Sequence, residues 1–329
     1  MQDAPRLAFV YGSREVLWGG ITSSLFAQEG AMRDVLLRCE QLVQERLGWS
    51  LRGVFATQLF DNEQLRDPAL TALQIALTQG WRERGVEPDV IAARSGGEFA
   101  AEFARGAITL EGAIEVACRA SCFIRDGRGA GRMLAIPLRL SAAQRLEHSS
   151  PVRFSIVADA DEDLTIVSCG TDAVEQLQRF LTQQQIAYRL INSGIAAHSP
   201  MVDAQKSDWL KPVDSGTSHS ELVPYYSAGA EGRDNLNSYS ARLWRAVREP
   251  AFVGRMLDSL IADGCNVFLE IGGQPTLAAR IQRRAALANK EVVTLPIERS
   301  ASVRELIDRT EDMLRRAGVF TRPPHAVEM

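Results

Sequence analysis

The chain has 329 residues, 46% hydrophobic and 24% charged, an ordinary balance for a globular fold with a sizeable core. Its 37 basic and 41 acidic residues are interspersed and leave a formal net charge of −4, with no basic block. That pattern argues against nucleic acid as a partner and against an anionic membrane surface. The five cysteines (Cys39, Cys118, Cys122, Cys169 and Cys265) include no CxxC pair, and their odd number fits a reducing cytoplasm better than a disulfide framework. Four histidines, His148, His198, His219 and His325, are too few to suggest a dedicated zinc site, so no metal is expected. The N-terminus lacks a charged start followed by an apolar run, and no stretch approaches ~18 apolar residues. Neither a signal peptide nor a membrane span is expected.

In chain order, LAFVY (residues 7–11) reads as a short buried strand ending in a loop at Gly12. Residues 24–48 and 68–83 carry apolar positions at helical spacing, and GVEPD from residue 85 breaks the second segment. A second buried strand is expected at Val90–Ala93, followed at once by Ser-Gly-Gly and a helix of small residues. Strands feeding helices through tight glycine-bearing turns predict an α/β sheet with a site at the strand ends. From Gly131 the texture changes. MLAIPL, VRFSIVADA, LTIVSCG and AYRLINS read as strands, with helices at SAAQRLEH and DAVEQLQRFLTQQQ. The order βαββαβ is that of a ferredoxin-like unit. Beyond it, helices are expected around 236–263, a strand at NVFLEIG and a helix from Pro275, before a frayed tail at 321–329. The domain reading is therefore a large α/β-hydrolase-like domain from residues 1–130 and 199–329, with residues 131–198 inserted as the ferredoxin-like subdomain.

The stretch most informative about chemistry is DVIAARSGG, residues 89–97. A buried strand that turns sharply at a serine, with glycines just behind it, is the setting of a nucleophile elbow. The GxSxG pattern is incomplete, because Ala93 replaces the first glycine, and a serine before two glycines also suits a plain turn or helix cap. His198, in IAAHSP, follows the inserted unit directly, at a junction where clefts form. The other histidines have ordinary explanations: His148 ends a surface helix, His219 lies in a polar loop and His325 in the tail.

SGGEFAAEFARGAITLEGAIEVACRAS resembles the malonyl-CoA:ACP transacylase and polyketide synthase acyltransferase family. TIVSCGTDAVEQL, AAHSP, VPYYS, WRAVREP and DGCNVFLEIGGQPTLA are similar to that family's landmarks, in the same order, so the resemblance covers about residues 5–315. It implies a serine–histidine dyad of Ser95 and His198 working by a ping-pong route through an acyl-serine. It also implies that a backbone carbonyl, matched here by Ala246, orients the base, and that the amides of Gly96 and Arg14 form an oxyanion hole. The implied partner is an acyl carrier protein, and the acyl group would travel on phosphopantetheine, of the carrier or of coenzyme A, with no bound cofactor.

The departures from the family bear on substrate. Ungapped counting puts Ala120 where the family has the arginine that clamps a malonyl carboxylate; Arg119 is one residue early, and one helical step rotates a side chain by ~100°. Alanine cannot replace a bidentate clamp, although a one-residue shift would restore Arg119 to the role. Asp67 stands where the family has glutamine; it could repel an anion, meet a substrate ammonium, or pair with Arg94, which replaces the family histidine before the nucleophile. In the tetrapeptide that runs from Ile195 to His198, Ala197 is small where malonyl-selective relatives place a phenylalanine, and loss of that ring and of the arginine predicts a wider pocket. The resulting expectation is a free-standing acyltransferase for uncarboxylated acyl or aminoacyl groups in polyketide or related biosynthesis. An acyl-carrier-protein hydrolase of the same fold, a conventional malonyl transferase and a non-catalytic carrier-binding protein remain as alternatives.

Overall fold

The computed structural model describes residues 4–13, 24–27, 30–57, 62–126, 131–191, 195–215, 222–230, 232–234, 238–272, 276–295 and 303–319. The chain begins with strand β1 (Leu7–Tyr11) and helices α1 (Ala31–Leu47), α2 (Leu51–Thr57) and α3 (Glu63–Glu83). Strand β2 (Val90–Ala93) and helices α4 (Gly97–Ala104) and α5 (Leu110–Arg125) follow. Next come β3 (Arg132–Ile136), α6 (Leu140–Ser149), β4 (Ser155–Asp161), β5 (Leu164–Cys169), α7 (Val174–Gln183) and β6 (Arg189–Ile191). A 3₁₀ turn (Pro200–Gln205) runs into α8 (Lys206–Trp209), then β7 (Tyr225–Ser227), α9 (Tyr239–Arg248) and α10 (Val253–Ala262). The last elements are β8 (Val267–Ile271), α11 (Ala278–Leu287), β9 (Val293–Leu295) and α12 (Val303–Arg316).

Two sheets organise these elements. The larger has strand order β7-β2-β1-β8-β9, and every pairing in it is parallel. Parallel sheets are buried on both faces, which is why β1 and β2 read as unbroken apolar runs rather than alternating ones. Side chains still alternate between the faces. Leu7, Phe9, Tyr11, Ile91 and Ala93 join the core shared with α1, α3 and α5, while Ala8, Val10, Val90 and Ala92 join the one shared with α10 and α11. The chain leaves β1 for β2 on one side, and β8 closes on its other side, so the strand order reverses at β1. In such sheets the crevice beyond the strands' C-terminal ends at the reversal is where ligands bind.

The second sheet is antiparallel, with order β4-β5-β3-β6, and arises wholly from residues 132–191 in the sequence order βαββαβ. Its own core joins Leu134, Ile136 and Val167 to Ala143 of α6 and Leu177 and Leu181 of α7. The molecule is thus an α/β fold in which a ferredoxin-like subdomain accompanies a larger parallel-sheet domain.

Helix limits differ from those read in sequence for local reasons. The first long helix starts at Ala31, because Gly30 precedes it at φ 83, a left-handed conformation that ends any helix running in from residue 24. The second starts five residues before Pro68, where the Asn62 side chain accepts a bond from the Gln64 amide and caps it. That helix, α3, is buried on nearly every side; its Gln74 Nε2 donates to the Gly12 and Ile271 carbonyls, both at 2.9 Å, tying together the C-terminal ends of β1 and β8. Among the described residues no helix is long and apolar enough to cross a membrane.

Candidate active site

Ser95 sits at the C-terminal end of β2 with φ 51, a left-handed backbone that a non-glycine residue adopts at a cost of ~1–3 kcal/mol. The turn is closed by bonds from the Arg94 amide to the Tyr11 carbonyl (3.2 Å), from Gly97 to Arg94 (3.0 Å) and from Glu98 to Ser95 (3.0 Å). Gly97 is obligatory: a Cβ there would lie 2.4 Å from the Gly12 carbonyl oxygen and 2.6 Å from that of Tyr11. The helix α4 can therefore start flush against β1 only because residue 97 has no side chain. The Gly96 amide, at the start of α4, takes no part in the turn's bonds. Arg14, the expected second donor of an oxyanion hole, lies outside the described residues.

His198 comes from a different segment and also has a left-handed backbone, at φ 61. Its Nε2 lies 3.0 Å from Ser95 Oγ, and its Nδ1 lies 2.8 Å from the Glu249 carbonyl. Since a carbonyl can only accept, Nδ1 carries the ring proton and the Nε2 lone pair faces the serine hydroxyl. The His198 amide donates to the Val247 carbonyl at 2.6 Å, and Ser199 caps the 3₁₀ turn that follows by accepting from Met201. The imidazole is mostly buried, at 8% exposure.

The orienting carbonyl belongs to Glu249 and not, as motif counting suggested, to Ala246. Ala246 lies inside α9, where a carbonyl points along the helix axis. Glu249 follows the helix with ψ 150, so its carbonyl has left that direction and reaches the ring from the side.

The expected substrate-pocket residues fall in several places. Asp67, on α3, is 3% exposed, and its Oδ1 would be 3.0 Å from a Cβ on Gly96, so this carboxylate lies beside the Ser95 turn. Around Arg94 the carboxylate acting most strongly is Glu270, at the end of β8, while burial pushes the guanidinium down to about 10. Burial raises Glu270, which accepts the Thr276 and Leu277 amides. Ala120, on α5, is 3% exposed and packed in the core. Its neighbour Arg119 is held elsewhere, donating to the Asp208 and Lys211 carbonyls at 2.9 and 3.3 Å and to Glu115 at 3.1 Å. Ile195 is buried and Ala197 half-buried, both directly before the histidine.

Residues that sequence reasoning missed surround this centre. Glu98, in the first turn of α4, is buried and accepts bonds from Tyr225 Oη (3.0 Å) and Ser227 Oγ (2.7 Å); burial pushes its carboxyl up to about 8. VPYYS resembles a family landmark, but nothing in it reveals that its hydroxyls serve this carboxylate. Deeper on α4, Glu102 receives a bidentate pair from Arg242 of α9, at 2.6 and 2.7 Å, with both side chains almost fully buried. That pair ties the serine's helix to the helix that ends at Glu249. Among the described residues no group of three or more His, Cys, Asp and Glu side chains could hold a metal ion.

The acyl transferase domain family matches residues 8–319. Polyketide synthase GfsA of Streptomyces halstedii is 29% identical over 295 residues, which is 88% of this chain but 4% of that protein, so the chain spans a small part of the relative's length. Among solved structures, a loading acyltransferase from the avermectin modular polyketide synthase superposes with a TM-score of 0.76 at 22% identity, covering 93% of this chain and 99% of that one. The malonyl CoA-acyl carrier protein transacylase of Coxiella burnetii gives 0.75 at 21% identity, covering 97% and 99%. With its parallel sheet, its ferredoxin-like subdomain and a serine and histidine meeting at the strand ends, the chain belongs to the acyl transferase domain family.

Proposed function

We propose that this acyltransferase moves an acyl group without a free carboxylate between thioesters, in polyketide or related biosynthesis, through an ester on Ser95. Nε2 of His198 takes the hydroxyl proton as Oγ attacks the thioester carbonyl. The oxyanion that forms is met by the Gly96 amide; one such donor contributes ~3 kcal/mol to the rate. As the carbonyl re-forms, the C–S bond breaks and the imidazolium returns its proton to the departing thiolate. The acceptor thiol then repeats the sequence in reverse, giving ping-pong kinetics. The acceptor is the phosphopantetheine thiol of an acyl carrier protein, which enters between the large domain and the ferredoxin-like subdomain.

The observation that carries the choice of acyl group is the environment of Arg119 and Ala120. Arg119 is turned to two backbone carbonyls and Glu115, and the Ala120 side chain offers no donor. Asp67, buried beside the Ser95 turn, is a carboxylate where the family has glutamine, so it offers no amide donor to a substrate carboxylate. A buried carboxylate left without its charged partner costs ~3–5 kcal/mol, a factor of several hundred to several thousand in rate.

The test is a panel of malonyl, methylmalonyl, acetyl, longer-chain and aminoacyl thioesters, with the intact protein weighed over time. Uncarboxylated groups are expected to load several hundred-fold or more faster. Preferential malonyl loading would overturn this acyl class and make the chain a conventional malonyl transferase.

A further inference from the structure

The carbonyl that aims His198 lies on a short segment, Glu249–Phe252, that joins α9 to α10; the Phe252 amide donates to the Ala228 carbonyl of the large domain at 2.8 Å, and the ferredoxin-like subdomain holds Ala251 and the start of α10. The Ala251 amide donates to the Val157 carbonyl of β4 at 2.9 Å, and Ala251 forms a bridge with Ala158. Phe252 packs against the subdomain's core. The α10 helix has no side-chain cap of its own at Phe252. Its first amides are taken instead by a carboxylate from the other sheet: Val253 and Gly254 donate to Asp159 Oδ1 and Oδ2 at 2.6 and 3.0 Å.

Arg280 of α11 locks this carboxylate in place, with Nη2 donating to Asp159 Oδ2 at 2.8 Å and Nη1 to the Asp159 carbonyl at 2.7 Å. The fit is tight, since a Cβ on Gly254 would come within 2.9 Å of Oδ2 and 3.1 Å of Arg280 Nη2. Two register shifts interrupt β4 against β5, between Ile156 and Ala158 and between Asp159 and Asp161. Bulges bend a strand and re-aim its side chains, and here they flank Ala158 and Asp159, two of the three β4 residues that touch the segment.

We infer that Asp159 is a positioning residue for the general base: by capping α10 and holding Ala251–Gly254 against β4, it fixes the Glu249 carbonyl that keeps the His198 ring aimed at Ser95. The inference rests on the dyad proposed above. It makes the seating of the subdomain part of the catalytic geometry, because a displacement of β4 moves the carbonyl and a misplacement of ~1 Å at such a group costs ~100-fold.

Asp159→Asn keeps the shape but loses the charge and one acceptor. Its single-turnover acylation rate at saturating thioester should fall about tenfold or more while the half-saturating concentration stays within about twofold, the pattern of an interaction made in the transition state. The Nδ1–H proton resonance of His198, assigned by its loss in His198→Gln, should broaden or shift. Arg283→Ala removes the neighbouring contacts of Arg283 with Asp161 and Glu162 but touches nothing in the segment, and it should acylate as wild type. Should Asp159→Asn not fold, Asp159→Asn/Arg280→Met, which leaves no buried unpaired cation, carries the same expectations. Wild-type acylation at Ser95 with unchanged rate and resonance in the folded variant overturns the role of Asp159. Absence of acylation in the wild type itself overturns the dyad instead.

Discussion

Ser95 and His198 meet at 3.0 Å, yet their settings are built in opposite ways. The serine's turn is local: β2, the left-handed residue, two glycines and α4 lie within Val90–Ala104, and the bonds that close it reach only to β1. The histidine's setting is assembled from distant pieces. Its amide is bound by Val247, its ring by Glu249, and the segment carrying Glu249 by β4 of the other sheet. A nucleophile must stand in one strained conformation, which contiguous sequence can enforce. A base must be aimed across a gap, and only tertiary structure does that.

Removing the base breaks the pairing outright and has the largest expected effect on rate. His198→Ala should slow acylation by ~10²–10⁴-fold, the usual loss of a general base, in a stopped-flow or quenched mass assay, with the fold retained by circular dichroism. Next is the brace between the two settings. Glu102→Leu removes the carboxylate that buried Arg242 and its neighbour Arg105 both meet and should cost ~3–5 kcal/mol in denaturant unfolding, whereas Glu102→Leu/Arg242→Met should recover part of it. If the double variant also acylates at the wild-type rate, the buried pair serves folding specificity and not the alignment of the dyad.

Gly97→Ala tests the local half of the comparison. Its Cβ meets backbone oxygens, not a flexible side chain, so α4 must shift away from β1 at a cost of ~1–3 kcal/mol or more. Thermal unfolding should show the loss, and the serine should lose reactivity with it. The last test concerns Glu98 and bears on stability alone. Its folded carboxyl titrates at about 8, above the ordinary 4.5, with burial the main cause. The native state therefore holds the proton more tightly than the unfolded chain, and stability should decline as pH rises from about 4.5 to 8. Glu98→Gln should flatten that decline in unfolding midpoints measured across the same range.

The sequence disclosed what depends on neighbours. The run VIAA coincides with β2, Ser-Gly-Gly marks the tight turn at Ser95, and the order βαββαβ matches the second sheet. The short strands β7 and β9 carry too few residues for a period to register. What escaped was non-local. Counting along WRAVREP selects Ala246, because a motif does not say where a helix ends and which carbonyl turns outward; that is fixed by the ψ of Glu249. The Glu102–Arg242 and Asp159–Arg280 pairs join residues 140 and 121 positions apart, and each member alone looks like an ordinary charged residue on its element. Glu270 of β8 acts on Arg94 from 176 positions away, and no local pattern joins the two.

The central claim is that Ser95 carries the acyl group. It is tested most directly by mixing wild type and Ser95→Ala with the best-loading thioester, weighing both intact, and fragmenting the labelled chain. A single acyl mass on the wild type, located at Ser95 and discharged by acceptor thiol, with no adduct on Ser95→Ala, is the predicted result. An adduct at another residue, or equal turnover by Ser95→Ala, would contradict it.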